Sequence, residues 1–371
     1  MISELDAADI EAVLAPFEGD QPTGVDLRQD HSPTSIYYRL RDARAEARDA
    51  ERRADGEGGD EGIATLWRPV ATLAIDALKS TSKDLEVATW LTEALVRIAG
   101  LEGLSAGASI IGGLVDRHWD GLYPLPDENG IETRVAAVGG LSGQGADGTL
   151  MQPLRKVPLF ARPDGTPFGL WQYQGTVELV GIVDPERREQ RIAAGVVPFE
   201  DFENEARAAG QPHWQAYRAA VTGTIDAWEA MGRQLDEKAG DVSPSTGRVR
   251  EALDLMLEVC DRFAPLDVPA GDQGQEQDQA PAGDVPAAAS ADGPASKGPI
   301  KGREQALRQL EEIAAWFRQN EPNSPLGYTL GEAARRGRMP WPDLVAELVQ
   351  DEIARSGLLV SVGLKRPDTT Q

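Results

Sequence analysis

Three histidines, one cysteine and a glycine-rich hexad are the groups in this chain with the chemistry to make or break bonds, and their spacing argues against most of it. His31, His118 and His213 stand far apart, whereas a hydrolytic zinc site wants two imidazoles one helical turn apart with a carboxylate in reach. His118 falls on an apolar helical stripe beside Trp119, where a hydrogen-bonded core or boundary histidine is the commoner role. Asp116 and Asp120 flank it, so a triad assembled across the fold stays open, and the alternative reading is a hydrolase-like enzyme with its site around His118. Ser142 lies in Gly140-Leu141-Ser142-Gly143-Gln144, which misses the last glycine of the G-x-S-x-G elbow. Cys260 sits on a helical stripe and reads as core rather than nucleophile. As the single cysteine it excludes intrachain disulfides and cysteine-rich zinc sites and fits a reducing compartment.

The hexad Gly143-Gln144-Gly145-Ala146-Asp147-Gly148 matches the dinucleotide fingerprint letter for letter, but such a site must open a helix behind a strand, and Pro153 follows too closely. It reads as a flexible glycine loop. No G-x-x-x-x-G-K-[ST] phosphate cradle occurs. Asp127, Glu128, Asn129 and Gly130 resemble a turn more than a calcium loop, because the later bidentate Glu is missing. The stretch from Pro16 to Asp30 packs two prolines, two glycines and four carboxylates around Phe17, Val25 and Leu27. Asp20 and Asp26, next to Pro and Gly, favour side-chain bonds that stabilise turns, and Leu27 can plug the loop onto a helical core. Pro16, Asp20, Pro22, Gly24, Asp26, Leu27 and Arg28 are therefore expected to form a docking loop and not a cation site. No catalytic, metal-binding or cofactor-binding residue is assigned.

The elements that position these groups are almost all helical. Leu66, Val70, Leu73 and Ala77 advance by helical steps; Asp84 can cap a helix carrying Leu85, Ala88, Leu91, Leu95 and Ile98; Leu104, Ala108, Ile111, Val115 and His118 repeat the pattern. Gly100 and Gly121 supply stops. Ser35 to Arg53 reads as a surface helix with Ile36, Leu40, Ala43 and Ala47 on one side. Residues 135–198 are the least helical, with a strand expected over Gly175 to Val183. Helical spacing resumes at Trp214, Tyr217, Val221, Ile225, Trp228 and Leu235, then at Val249, Leu253, Met256, Cys260 and Phe263 after the capping run Ser243 to Thr246. The short connection between these two predicts an antiparallel pair.

From about Ala264 to Pro299 the chain turns to Ala, Pro, Gly, Asp and Gln, which cannot bury enough to offset its ordering entropy and reads as a disordered linker. Beyond it, Leu307, Leu310, Ala314 and Phe317 form a stripe ended by Pro322. Ser324-Pro325 starts a second helix that stops at Gly337, and Pro340 to Asp343 opens a third bearing Leu344, Leu348 and Ile353. The fold class is thus mainly α. Residues 1–160 form an N-terminal helical bundle, 161–263 a second and partly irregular helical region, 264–300 a linker, and 301–371 a small helical domain that oligomerises or docks. Trp67, Trp90, Trp119, Trp214 and Trp228 read as core; Trp316, Phe317, Pro322, Pro325 and Trp341 are the candidate oligomer contacts.

A net charge of -24 and a pI near 4.5 repel phosphate backbones and anionic lipid heads, so neither nucleic acid nor direct membrane insertion is expected. Met1 to Asp6 lacks a basic n-region, and no apolar run is read as long enough to span a bilayer. A cytoplasmic protein is expected.

Several blocks carry a resemblance. Pro16 through Arg28, in the form P-F-x-x-x-x-P-x-G-x-D-L-R, resembles the start of the ImpA-related N-terminal domain of the TssA family of bacterial type VI secretion systems. Trp90-Leu91-Thr92-Glu93-Ala94-Leu95, Gly100 to Leu104, His118-Trp119-Asp120-Gly121-Leu122-Tyr123-Pro124-Leu125-Pro126-Asp127 and Gln152 to Arg155 are similar to later blocks of that family. Phe317 to Pro325 and Ala333 to Met339 resemble the tail of one subgroup, with Asn323 where relatives commonly have His. The resemblance implies a non-enzymatic, cytoplasmic, homo-oligomeric scaffold that binds baseplate, tail-tube and sheath proteins. Ring stoichiometry and the direct partner stay open.

Overall fold

Asp6 begins the first helix by accepting the Asp9 N–H at 2.8 Å, a side-chain cap of the usual kind. The computed structural model describes residues 5–57, 62–128, 130–143, 147–264, 303–320, 325–348 and 355. The chain divides into two units, Met1–Gly274 and Gln275–Gln371. In the first, α1 (Ala7–Leu14), α2 (Ile36–Glu57), α3 (Ile63–Ser80) and α4 (Leu85–His118) are followed by α5 (Glu132–Ser142) and α6 (Met151–Lys156). Two short strands, β1 (Pro158–Ala161) and β2 (Pro167–Gly169), pair antiparallel with Phe160 opposite Phe168. Then come α7 (Leu170–Val180), α8 (Pro185–Ala193), α9 (Phe199–Ala208), α10 (Gln211–Ala239) and α11 (Gly247–Phe263).

The centre of the unit is α4, which is a hairpin. Gly100 takes φ 57° and ψ −125°, a conformation open to glycine, and the chain reverses there. A side chain on Gly103 would meet Leu95 O at 2.0 Å and one on Gly107 would meet Thr92 Cγ2 at 2.6 Å. In a straight helix the second pair would lie about 22 Å apart at ~1.5 Å per residue, so these contacts require the two halves to lie side by side. Glycine at 103 and 107 removes the atoms that would hold the halves apart. Around this hairpin pack α3, α10, α1, α5 and α6, with α2 against α3 and, through Tyr37, Arg44 and Glu51, against the first half of α4, and α11 alongside α10.

Among the described residues Leu85–Gly121 is, by length and composition, long and apolar enough to cross a bilayer, against the expectation that no segment is. The reversal cuts α4 itself into helical halves of roughly 22 and 27 Å, each short of a ~30 Å hydrocarbon core. Its apolar side chains, Leu85, Leu91, Leu104, Ile111 and Val115 among them, are buried against neighbouring helices.

Helical spacing places most of the core as read, with exceptions at Trp119, which is only partly buried, and on α3. There Trp67, Val70, Ala71, Ala74, Ala77 and Leu78 face inward, while Leu66 is 40% exposed. The core continues without a break past residue 160, through Phe160, Phe168, Phe202 and Trp214. Phe160 and Phe168 stack at 5.0 Å, and Trp214 stacks on Phe263 at 5.0 Å.

Residues 135–198, expected to be the least helical, hold the end of α5, then α6, α7 and α8 together with both strands. The strand expected over Gly175 to Val183 is instead the end of α7, its N–H groups satisfied within the helix. Thr176 and Leu179, three apart, are buried and Val177 and Val180 are exposed, so burial follows a helical period that overrides the β-branched composition. Thr246 stands at the N-cap of α11 without a side-chain cap bond; its carbonyl accepts from Trp228 Nε1 at 3.0 Å.

The second unit holds α12 (Arg303–Asn320), α13 (Leu326–Arg338) and α14 (Trp341–Leu348). A side chain on Gly327 would meet Arg318 Cγ at 2.8 Å and one on Gly337 would meet Leu307 Cδ2 at 2.6 Å, which sets α12 and α13 antiparallel and close. Leu307, Ala314, Ala334 and Val345 are buried. Pro325 stands one position earlier than expected, at the N-cap of α13, where its carbonyl accepts from Thr329 N–H at 3.0 Å. The linker from residue 265 to 300, Pro322 and Ile353 lie outside the described residues.

Candidate functional site

Between α1 and α2 the opening loop is tied to the junction of α3 and α4 by a short backbone ladder. Val25 N–H donates to Thr81 O at 3.1 Å and Lys83 N–H to Thr23 O at 2.8 Å, making an antiparallel bridge between Gly24 and Ser82. Gly24 has φ +75°, and a Cβ there would fall 2.0 Å from Thr81 O. On the far side of the same junction Tyr123 N–H donates to Lys83 O at 2.9 Å and Leu85 N–H to Tyr123 O at 2.7 Å. Loop, junction and the segment after α4 therefore lie side by side, because the hairpin returns its end to its beginning. The Tyr123 hydroxyl donates to Gly24 O at 3.3 Å.

Buried charge fixes this arrangement. Asp84, with no side-chain exposure, caps α4 by accepting from Glu86 N–H at 2.9 Å and Val87 N–H at 3.1 Å. Arg28 donates to the same carboxylate at 2.7 Å, to Glu86 at 2.6 Å and to Asp26 at 3.1 Å. Although burial works against its charge, the Asp84 and Glu86 carboxylates hold the Arg28 guanidinium firmly protonated. The Tyr37 hydroxyl donates to Glu86 at 3.1 Å; burial first, then the Glu86 charge, pushes the phenol up to about 12.

Lys83 is fully buried, and its partners are two carbonyls and a ring. Nζ donates to Val13 O at 2.6 Å and Leu78 O at 2.8 Å and sits 4.2 Å from the Phe17 ring centre. Burial pulls its pKa down to about 8. His118 Nε2 donates to Leu14 O at 2.8 Å, so the last carbonyls of α1 are both taken by side chains from the α3–α4 region. Arg134 donates to Trp119 O at 2.6 Å and Pro124 O at 3.1 Å and lies 4.9 Å over the Trp119 ring.

The predicted docking residues divide into two groups. Asp26 caps the short turn Leu27–Gln29, Leu27 is buried as a plug, and Arg28 is the clamp just described. Pro16, Asp20, Pro22 and Gly24 instead line an open cleft of about 620 Å³ shared with His118, Trp119 and Tyr123. Asp20 corrects its expected role: it is exposed and, among the described residues, closes no turn. Phe17 N–H to Pro22 O at 2.9 Å and Gly24 N–H to Gln21 O at 3.0 Å do so.

The groups with reactive side chains are otherwise engaged. The glycine hexad has Gly143 at the end of α5 and Gly148 just before α6, helices on both sides, with 144–146 outside the described residues. Ser142 Oγ accepts from Val249 N–H at 3.5 Å. The Cys260 thiol is buried and pushed up to about 11 by that burial. Gly130 N–H closes a turn on Asp127 O at 2.9 Å, as the sequence indicated. Among the described residues no three His, Cys, Asp or Glu side chains are grouped to hold a metal ion.

Of the candidate oligomer contacts, Trp316 is 53% exposed and meets Phe317 edge-on at 5.1 Å; Pro325 caps α13 and Trp341 opens α14. Sequence reading missed Lys83, the buried Arg97–Glu51 pair at 2.9 Å and the Arg44–Glu93 pair at 2.7 Å. The last two join residues 46 and 49 positions apart, and no local pattern announces them.

Residues 14–143, from the end of α1 to the end of α5, match the family described as ImpA, N-terminal, type VI secretion system. The chain is 27% identical over 358 residues to the type VI secretion system component TssA1 of Pseudomonas aeruginosa, covering 94% of this chain and 96% of that protein. It is also similar, at 28% identity, to the solved N-terminal domain, including the conserved ImpA_N region, of the TssA component from Burkholderia cenocepacia. That match has a TM-score of 0.55 and covers 68% of this chain and 92% of the other.

Proposed function

We propose that the chain is a member of the TssA family of bacterial type VI secretion components, to which its similarities run, and that it acts in baseplate and tail tube and sheath assembly. In this reading it works without catalysis, on the cytoplasmic side. The first unit binds other secretion components through the opening loop, and the second assembles copies of the chain through the apolar side chains it leaves uncovered, Ile313, Trp316, Leu326 and Tyr328.

One observation carries this reading: the polar side chains most deeply placed around the site hold backbone. Lys83 and His118 hold the last carbonyls of α1, Asp84 caps the start of α4, and Arg134 holds the segment after α4. A general base must instead reach a proton on a substrate, and His118 Nε2 is already 2.8 Å from Leu14 O. Such side chains make a stiff platform whose exposed rim is free for contact.

The test uses the full chain. A loop-blocking variant, Pro16→Arg with Pro22→Arg, is expected to keep its assembly by light scattering and to lose co-purification with sheath, tube and baseplate proteins. Trp316→Glu is expected to lower the assembled mass. Full partner capture and tube secretion by the loop variant would sink the docking role. His118→Gln that folds, assembles and still abolishes secretion would favour an enzyme.

A further inference from the structure

The cleft beside the opening loop carries a chemical signature of its own. Pro16 and Pro22 wall it from the loop, Trp119 and Tyr123 from the segment after α4, and Asp20, Asp116 and Asp120 bring carboxylates to it. All three carboxylates are exposed and, among the described residues, none forms an ion pair. Of the two cations on the lining, Arg117 is held by Glu11 at 2.6 and 2.9 Å and also feels the Asp116 charge, and Lys238 is the other. Arg134 nearby bonds Trp119 O and Pro124 O, lies over the Trp119 ring and feels the Asp120 charge, so the carboxylates of Asp20, Asp116 and Asp120 with Glu11 still outnumber the three cations.

We infer that this cleft takes an extended, Lys- or Arg-bearing segment of a partner protein. The inference rests on the proposed docking role of the loop and adds the chemistry of the occupant. Trp119 already carries Arg134 on its ring, which leaves the Tyr123 ring and the carboxylates to take a cationic head, through ring attraction and charge-assisted hydrogen bonds. Proline walls suit the methylene stem of such a side chain, which covers apolar surface while its head stays polar. An acidic or phosphate-bearing occupant meets like charge.

The cleft is also rigid enough to select. A Cβ on Gly121 would meet Thr23 Oγ1 at 2.7 Å, so loop and turn touch at the floor, and Tyr123 is tied to Gly24 above it. Little ordering is then left to the moment of binding.

The probe is a labelled 12-residue peptide of alternating Lys, Pro and Arg, compared by anisotropy with one carrying Glu for each Lys and Arg. With the full chain at low salt only the basic peptide is expected to bind, and about tenfold more weakly at high salt. Asp20→Asn with Asp116→Asn and Asp120→Asn should weaken it at least tenfold, while Lys238→Glu should tighten it about threefold. A control triple on other exposed acids, Glu46→Gln with Glu200→Gln and Asp201→Asn, should stay within twofold. Equal loss in both triples, or equal binding of the Glu peptide, would overturn the inference as bulk charge. Co-purification separates the two readings. If the aspartate triple keeps partner capture while the loop-blocking variant loses it, docking stands and the cationic occupant falls. If both keep it, both fall.

Discussion

Around α4 the first unit turns its charged side chains inward onto backbone, whereas the second unit leaves them outside. Asp84 and Lys83 have no exposure, and Arg97 and Glu51 have almost none. On α13 and α14, by contrast, Arg335 bridges Glu332 at 2.8 Å and Glu347 at 2.7 Å, with these side chains between 29% and 52% exposed. Exposed pairs of this kind contribute little, while a buried charge deprived of its partner costs several kcal/mol. The first unit is therefore self-sufficient and sensitive to point changes at its centre. The second is tolerant of them, and its apolar surface at Trp316 and Tyr328 is where substitution should matter for assembly.

The largest effect expected from this contrast is at the α4 crossing. Gly107→Val puts atoms where Thr92 stands and should destabilise the first unit by about 3 kcal/mol or more, lowering its melting temperature by roughly 10 °C. Unchanged melting would mean the halves do not approach as described.

Removing the clamp comes next. Arg28→Ala leaves the Asp84 carboxylate buried without its cation, at a cost of about 2 kcal/mol once the partial exposure of Arg28 is allowed for. Denaturant titration reads this directly, and the paired variant Arg28→Met with Asp84→Asn should recover part of the loss.

The Lys83 ammonium gives a smaller, pH-dependent signal. Its folded pKa of about 8 lies below the ordinary 10.5, so between those values the unfolded chain holds a proton that the folded chain has released. Stability should rise as pH passes 8, by up to about 1.4 kcal/mol per unit. Above about 9 the raised Cys260 thiol and Tyr37 phenol act oppositely, since the unfolded chain loses those protons first. The rise is thus confined to pH 8–9. Lys83→Met should abolish it, and an equal rise in that variant would place its origin elsewhere.

Smallest is the response of the second unit. Trp316→Ser should change the melting of the full chain by less than about 0.5 kcal/mol while reducing assembled mass. A large loss of monomer stability would erase the contrast.

What was legible in the sequence follows the same division. Long stripes such as Val221, Ile225 and Trp228, or Leu253, Met256 and Cys260, face one core and repeat at one period, so α10 and α11 stood out, as did the stop at Gly100. The short helices between residues 132 and 208 each touch different neighbours, and a single turn of buried residues such as Thr176 and Leu179 is too brief to show its period. Of the candidate site, the prolines and glycines of the loop announced a turn, and Leu27 its plug. That Asp20 faces a cleft and Lys83 bonds two helix ends depends on chain meeting chain 70 residues apart, which no local spacing encodes.

The doubled-back α4 has a mechanical corollary. Its two feet stand next to each other, so a tug on the loop by a moving partner is shared at once by the bonds at Thr81, Lys83 and Tyr123. Such an attachment loads its backbone bonds together and not one after another, so a pull on the loop is borne by all of them in common.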